Sequence, residues 1–251
     1  MEKTMKAEDR ENLCYLLELG TATSQYMIAE NYYYGIDVDM DEEESFKWYL
    51  IAANRGNSKA QYRLAIMYFH GYGVEIDVDE SFRWLLKSAD QGYAKAQCRA
   101  GSMYAVGRCV HMDREKAIEY LKPAADSGHT RAEFVLGCLY FGSDGWNYPN
   151  PPQYLVAKHW LSKAAKANEP GAQFYLADLY RNGKGVKQNY RIAACWYKSA
   201  AKLEHSYSQY ELSIMLRDGL GVTRNLEESA YWAKLARMQG IDYARPFNIV
   251  S

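Results

Sequence analysis

What this sequence lacks narrows it first. No run of 18 or more apolar residues occurs among its 251. A helix that crosses a bilayer needs about 20 of them, so no membrane partner is expected. Neither sign of charge is in excess, with 30 Lys and Arg against 31 Asp and Glu. A general nucleic-acid binder carries a marked basic surplus, and no nucleic-acid partner is expected. The opening MEKTMKAEDREN is charged and has no apolar stretch of the kind a secretory leader needs. The expected location is cytoplasmic.

The chemistry-bearing patterns are missing as well. The five histidines (His70, His111, His129, His159 and His205) nowhere show H-x-x-x-H or H-E-x-x-H spacing, so nothing supports a zinc site. Glycine pairs such as Gly71 with Gly73 and Gly183 with Gly185 lack the third glycine of a dinucleotide fingerprint. No P-loop and no G-x-S-x-G elbow occurs. Cys14, Cys98, Cys109, Cys138 and Cys195 are odd in number and have no local histidine to activate them. They are read as reduced, mostly buried thiols. The expectation is a chain without catalytic residues, cofactor or metal.

What is present is repetition. With Ala60 as position 1, the pattern returns every 36 residues, at Ser24, Ala96 and Ala132. After an insertion of four residues it returns again at Ala172 and Ser208. The units are 24–59, 60–95, 96–131, 132–171, 172–207 and 208–243, between a cap at 1–23 and a tail at 244–251. A period of this length marks stacked helical units. Position 5 is Ile28, Leu64, Ala100, Leu136, Leu176 and Leu212; position 6 is always small, from Ala29 to Ser213; position 9 is tyrosine in five units of six. Residues three and four apart share a helix face, so positions 1, 5, 6 and 9 form the apolar stripe of a first helix. Glycines at position 12 end it. Positions 22, 25, 29 and 30 form the stripe of a second helix, whose position 25 carries Trp48, Trp84, Tyr120, Trp160, Trp196 and Trp232. This aromatic is read as the largest wedge of each unit. Glycine at position 33 (Gly56, Gly92, Gly128, Gly240) turns the chain into the next unit.

At these positions the sequence resembles a known family. AQYRLAIMYFHGYGV and AQFYLADLYRNGKGV, each followed by W-x-x-x-(S/A)-A, look like the Sel-one-like repeat, a relative of the tetratricopeptide repeat. The likeness runs from Ser24 to Tyr243 in six copies. It implies an all-α fold, a right-handed α/α superhelical solenoid of helix-turn-helix repeats with a concave binding surface, treated as one array. It implies an adaptor or scaffold that binds a protein peptide, helix or domain. An immunity protein that neutralises one toxin or enzyme is the alternative. Hydrolase or β-lactam-binding activity, associated with a few cysteine-rich relatives, is a third reading. The cysteine pair that some secreted relatives carry in each repeat is absent, which argues against it. Six units fall in the bacterial size range.

The candidate sites follow from departures and from the groove. Asp37, Asp39 and Asp41 have the spacing of a calcium loop, but Glu42 and Trp48 stand where glycine and glutamate are needed. Asp41 instead aligns with Asp77, Asp113, Asn189 and Asn225 at position 18, where a second helix needs an N-cap. Pro123 falls inside the third second helix and is expected to kink it. The inserted loop between Tyr140 and Ala157 carries three of the six prolines with Trp146 and Tyr148. Displayed insertions of this kind often bind, and folding back onto the helices is the other reading. By analogy with tetratricopeptide repeats the first helices line the groove, with positions 3, 7, 10 and 11 exposed. That gives Tyr33, Tyr34, Ile66, Phe69 and His70 at one end and Asp178, Arg181 and Arg217 at the other. Aromatic rings and arginines are the side chains that most often anchor interfaces. Position 3, mostly aromatic, is read as packing. Repeat one holds seven acidic against three basic residues, and repeat five holds six basic against two acidic. This polarity either orients a partner, favours weak head-to-tail self-association of an otherwise monomeric chain, or marks two solvated faces.

Overall fold

The computed structural model describes residues 14–142 and 153–241. Outside that range lie the polar start, the loop residues Trp146 and Tyr148, and the tail residues Phe247, Ile249 and Val250, expected to cover the last repeat. The described residues contain no strand. Residues 14–19 are helical. Twelve further helices follow: α1 (Ala22–Tyr34), α2 (Glu42–Asn54), α3 (Ser58–His70), α4 (Val78–Asp90), α5 (Ala94–Val106), α6 (Arg114–Asp126), α7 (Thr130–Phe141), α8 (Tyr154–Lys166), α9 (Pro170–Asn182), α10 (Tyr190–Lys202), α11 (Ser206–Asp218) and α12 (Leu226–Met238). Odd-numbered helices are the first of each repeat and even-numbered helices the second. The sequence reading has one array; the contacts group the chain into two compact units, 1–124 and 125–251. Each unit is built the same way, α1 to α5 packing each against the next in the first and α7 to α12 in the second.

The caps explain why each helix starts where it does. At position 18 the side chains of Asp41, Asp77, Asp113, Asn189 and Asn225 each accept from the backbone N–H three residues on, at 2.8–3.0 Å. The backbone N–H of the same residue donates to the position-9 carbonyl of the first helix, as Asp77 does to Tyr68 at 2.9 Å. Gln153 makes this bond to Tyr140 at 2.8 Å. The four-residue insertion is therefore closed off by the same bond as an ordinary repeat loop. First helices are capped by a position the sequence reading did not use, three residues before position 1. Asn57, His129 and His205 accept there from Ala60, Ala132 and Ser208. Two of the five histidines are thus helix caps. Pro123 lies inside α6, and the helix continues through it to Asp126.

The core is deeper than the tryptophan position. Position 26 holds the innermost side chains, Tyr49, Leu85, Leu121, Leu161 and Tyr197, each at most 1 % exposed, while Trp84, Trp160 and Trp232 retain 7–8 %. Position 8 joins it with Met67, Leu139, Leu179 and Met215. The small residue at position 6 makes room for position 26. A Cβ on Gly101 would sit 2.6 Å from Leu121, and one on Gly137 2.7 Å from Leu161. Buried polar atoms are spent on the seams. Ser45, Ser81 and Ser229 donate to the position-6 carbonyls of Ala29, Ala65 and Ser213 at 2.6–2.9 Å. Gln61, Gln173 and Gln209 donate back to Ala53, Ala165 and Ala201 of the preceding repeat at 3.1–3.2 Å. Buried donors left unmade cost about 1–3 kcal/mol, so the serine bonds fix the two helices of a repeat and the glutamine bonds fix how one repeat meets the next.

In the cap Leu16 is buried and Leu17 exposed. The thiols depart from the sequence reading. Cys98 and Cys138 are buried, whereas Cys14, Cys109 and Cys195 are exposed, and none of the five is in a disulfide. Cys109 occupies the turn after α5 with φ +63° and is therefore exposed rather than buried in a helix face.

Candidate partner-binding face

The groove positions are not uniformly open. Position 11 is exposed in every repeat, with Tyr34, His70, Val106, Asn182 and Asp218 among its members. Position 10 is half-buried at Tyr33 and Phe69 and buried at Ala105 and Phe141; position 7 is half-buried at Ile66 and buried at Cys138. The expectation of exposure therefore fails at position 7 and, Arg217 excepted, at position 10. First helices of adjacent repeats come close enough for positions 7 and 10 of one to meet position 4 of the next. Position 4 was the missing element of the sequence reading.

In the first unit that meeting makes a cluster. The phenol of Tyr49 donates to the Glu30 carboxylate. Arg63, at position 4 of the next repeat, grips the same carboxylate through two nitrogens, at 2.9 and 3.3 Å, and donates to the Tyr34 hydroxyl at 2.7 Å. Its guanidinium lies 5.6 Å from the Tyr33 ring centre and 5.5 Å from that of Tyr34. Tyr33 also packs on Tyr49 and Tyr72, each at 6.4 Å. Burial, with Glu30 adding to it, pushes the Tyr26 phenol up to about 12 and the Tyr49 phenol far above its usual range. Burial works against the charge on Arg63, but its neighbours Tyr49 and Glu30 outweigh it.

One repeat on, the same stacking recurs without the acid. Arg99 sits at position 4, 5.3 Å from the Phe69 ring centre, and Arg108 lies 5.4 Å from that ring. His70 stands edge-on to Phe69 at 4.9 Å and stacks on Tyr72 at 5.3 Å.

In the second unit Asp178, Arg181 and Arg217 are not an open charged surface. Asp178 accepts from the buried Tyr197 phenol at 3.2 Å and from Asn182 at 3.0 Å. Arg181 is paired with Glu211 of the next repeat. Burial raises the Glu211 carboxyl even with Arg181 beside it, and burial raises the Tyr197 phenol well above its usual range. Arg217 is exposed and pairs with its own neighbour Asp218 at 2.7 Å. Among the described residues no three or more His, Cys, Asp or Glu side chains converge as metal ligands would, and no helix is long and apolar enough to cross a membrane.

Paired helices of 12 or 13 residues, a 36-residue phase broken by one four-residue insertion, and surface aromatics define a helical repeat protein that presents surface. The six repeats match the model of the Sel1 repeat, at residues 22–57, 58–93, 94–129, 130–169, 170–205 and 206–241. The chain belongs to the Sel1 repeat family, whose members generally mediate protein–protein interaction and act as non-catalytic scaffolds. Among solved structures it is similar to a Sel1 repeat protein from Oxalobacter formigenes, 30% identical, with TM-score 0.74 over 88% of this chain and 89% of that one. It is also similar to a protective antigen of uropathogenic Escherichia coli with an SLR fold, 30% identical, with TM-score 0.82 over 92% of this chain. This chain spans about half (49%) of that antigen's length. An immunity protein from Pseudomonas aeruginosa, PA5088, shares the fold at 20% identity and TM-score 0.52, over 84% of this chain and 80% of that one. No curated protein matches this sequence.

Proposed function

We propose that this chain is a non-catalytic protein-binding module and that its partner docks on the first-helix face of repeats one to three. The observation that carries this reading is the layering of that face. Tyr34, His70 and Val106 stand exposed at the same repeat position on α1, α3 and α5. Beneath the first two, Tyr33 and Phe69 are held half-buried by arginine stacking. Exposed anchors on a fixed layer lose little freedom on binding, which favours affinity, and a helix or extended peptide suits a row of parallel helices.

The test is affinity capture from native lysate with the wild type and with a Tyr34→Ala/His70→Ala/Val106→Ala variant. All three side chains are exposed, so folding should be unchanged. A stoichiometric partner lost in the variant supports the face. A partner retained in full places the interface elsewhere. A partner that is itself a toxin or enzyme would turn the reading from adaptor to inhibitor.

A further inference from the structure

Resting on that face as the binding surface, we propose that Arg99 and Arg108, around the ring of Phe69, receive a glutamate side chain of the partner. The first unit contains its own template. Arg63 lies over Tyr33 and is neutralised by Glu30. Arg99 lies over Phe69 in the equivalent way, one repeat later. The residue 36 positions after Glu30 is Ile66, and the residue 36 after Tyr49, which also holds Glu30, is Leu85. The guanidinium and its aromatic floor are repeated; the carboxylate and the phenol that orients it are not.

Among the described residues neither the Arg99 nor the Arg108 guanidinium makes an ion pair or hydrogen bond, and each lies against the ring of Phe69. Guanidinium groups stacked on a ring keep their in-plane N–H donors free for a planar, bidentate acceptor. Two of them around one ring give a local positive site on a chain whose net charge is −1, so the attraction is local and needs a short-range acid. A glutamate carboxylate is the acceptor that Arg63 already uses. Phosphate groups of RNA are the competing anion; they require a basic surplus along a track, which this chain does not have.

The structure also supplies a variant that fills the site from within. Ile66→Glu places a carboxylate where Glu30 stands relative to its arginine, and it pairs with Arg99 in the same chain. The probe is an array of octapeptides with amidated C-termini, each carrying a central Glu, beside copies with Gln in its place. A third set has the central Gln and a free C-terminal carboxylate, and a single-stranded RNA decamer is included. Wild-type protein is expected to retain a subset of Glu peptides about tenfold or more over their Gln copies, in keeping with hydrogen bonds to a charged group. Arg99→Gln/Arg108→Gln and Ile66→Glu should both abolish that preference while their thermal midpoints stay close to wild type.

Equal retention of Glu and Gln peptides, or a preference that survives in both variants, overturns the proposal. So does selective retention of the free-carboxylate set or of the RNA. If Glu and Gln peptides are held equally and Tyr34→Ala/His70→Ala/Val106→Ala weakens both, the acidic partner falls while the docking face stands. If no peptide is held, the acidic partner falls, and the lysate capture alone decides the face.

Discussion

The Tyr49 cluster of the first unit and the Tyr197 cluster of the second are one device built with opposite polarity. In both, a fully buried phenol at position 26 reaches a carboxylate at position 7, Glu30 or Asp178, 19 residues earlier. In both, an arginine bridges to a neighbouring first helix. The first unit keeps the acid in the earlier repeat and takes Arg63 from the next. The second keeps Arg181 in the earlier repeat and takes Glu211 from the next. The other position-26 residues are Leu85, Leu121, Leu161 and Ala233, which have no such reach. A charge pair placed at one seam in each unit and reversed between them distinguishes those seams from one another, a registry role that buried polar groups can fill. The lesson is that a repeat protein can tie one seam in each unit while the remaining repeats stay apolar at position 26.

The two clusters differ in depth, and the largest expected effect tests this. The side chain of Glu211 is 7% exposed against 23% for Glu30. Arg181→Met leaves a buried carboxylate without its cation and should cost about 3–5 kcal/mol. Arg63→Met leaves Glu30 nearer water and still bonded to Tyr49, and should cost about 1–2 kcal/mol. Urea denaturation of both variants decides; equal losses would remove depth as the difference.

A pH series separates the units next. Burial against Phe174, at 5.1 Å, lowers His205 from 6.5 to about 4, and its Nδ1 accepts from the Ser208 backbone at 3.2 Å. The folded pKa lies below the unfolded one, so this stabilisation is complete above pH 6.5 and is lost as pH falls to about 4. The loss approaches about 3 kcal/mol. His205→Asn keeps a capping acceptor, as Asn57 does in the first unit, and should remove this part of the acid dependence in thermal melts. An unchanged pH profile would contradict the assignment.

Removing only the phenol hydroxyls sharpens the comparison further. Tyr49→Phe and Tyr197→Phe should each cost about 1–2 kcal/mol, the scale of a hydrogen bond to a charged group. A double-mutant cycle should show Tyr49 coupled to Arg63 through their shared carboxylate, and Tyr197 coupled to Asp178.

The smallest effect lies in the turns. Position 33 is glycine in the first unit at Gly56 and Gly92. In the second, Gly128 and Gly240 keep it, but repeats four and five carry Asn168 and Glu204, with φ +62° and +63°. A side chain in that region costs about 1–2 kcal/mol, partly offset by glycine's freedom in the unfolded chain. Glu204→Gly should therefore raise stability by roughly 0.5–1 kcal/mol. Gly92→Ala, where an added Cβ meets nothing within 4 Å, should lower it by a similar amount through φ alone.

Much of this was legible in the sequence because it is local. The period of 36 places every helix, and Asp41, Asp77, Asn189 and Asn225 mark second-helix starts through a bond three residues long. Periodicity also marks the stripes of positions 5 and 6. It does not rank burial among neighbours on one face: Trp84 reads as the largest wedge, and nothing in the period shows that Leu85 beside it lies deeper. The exposed face was misjudged for the same reason: position 10 is aromatic at both Tyr33 and Phe69, and only stacking shows what covers each ring.

By itself, then, the sequence determined the class of fold, the paired helices of each repeat, the second-helix caps and the family. The tertiary structure alone decided which charges meet. Glu30 and Arg63 are 33 residues apart, and Arg181 and Glu211 are 30 apart. No helix periodicity links such residues. They become neighbours only when one repeat is laid against the next, and it is there that Arg99 is left over Phe69 without an acid of its own.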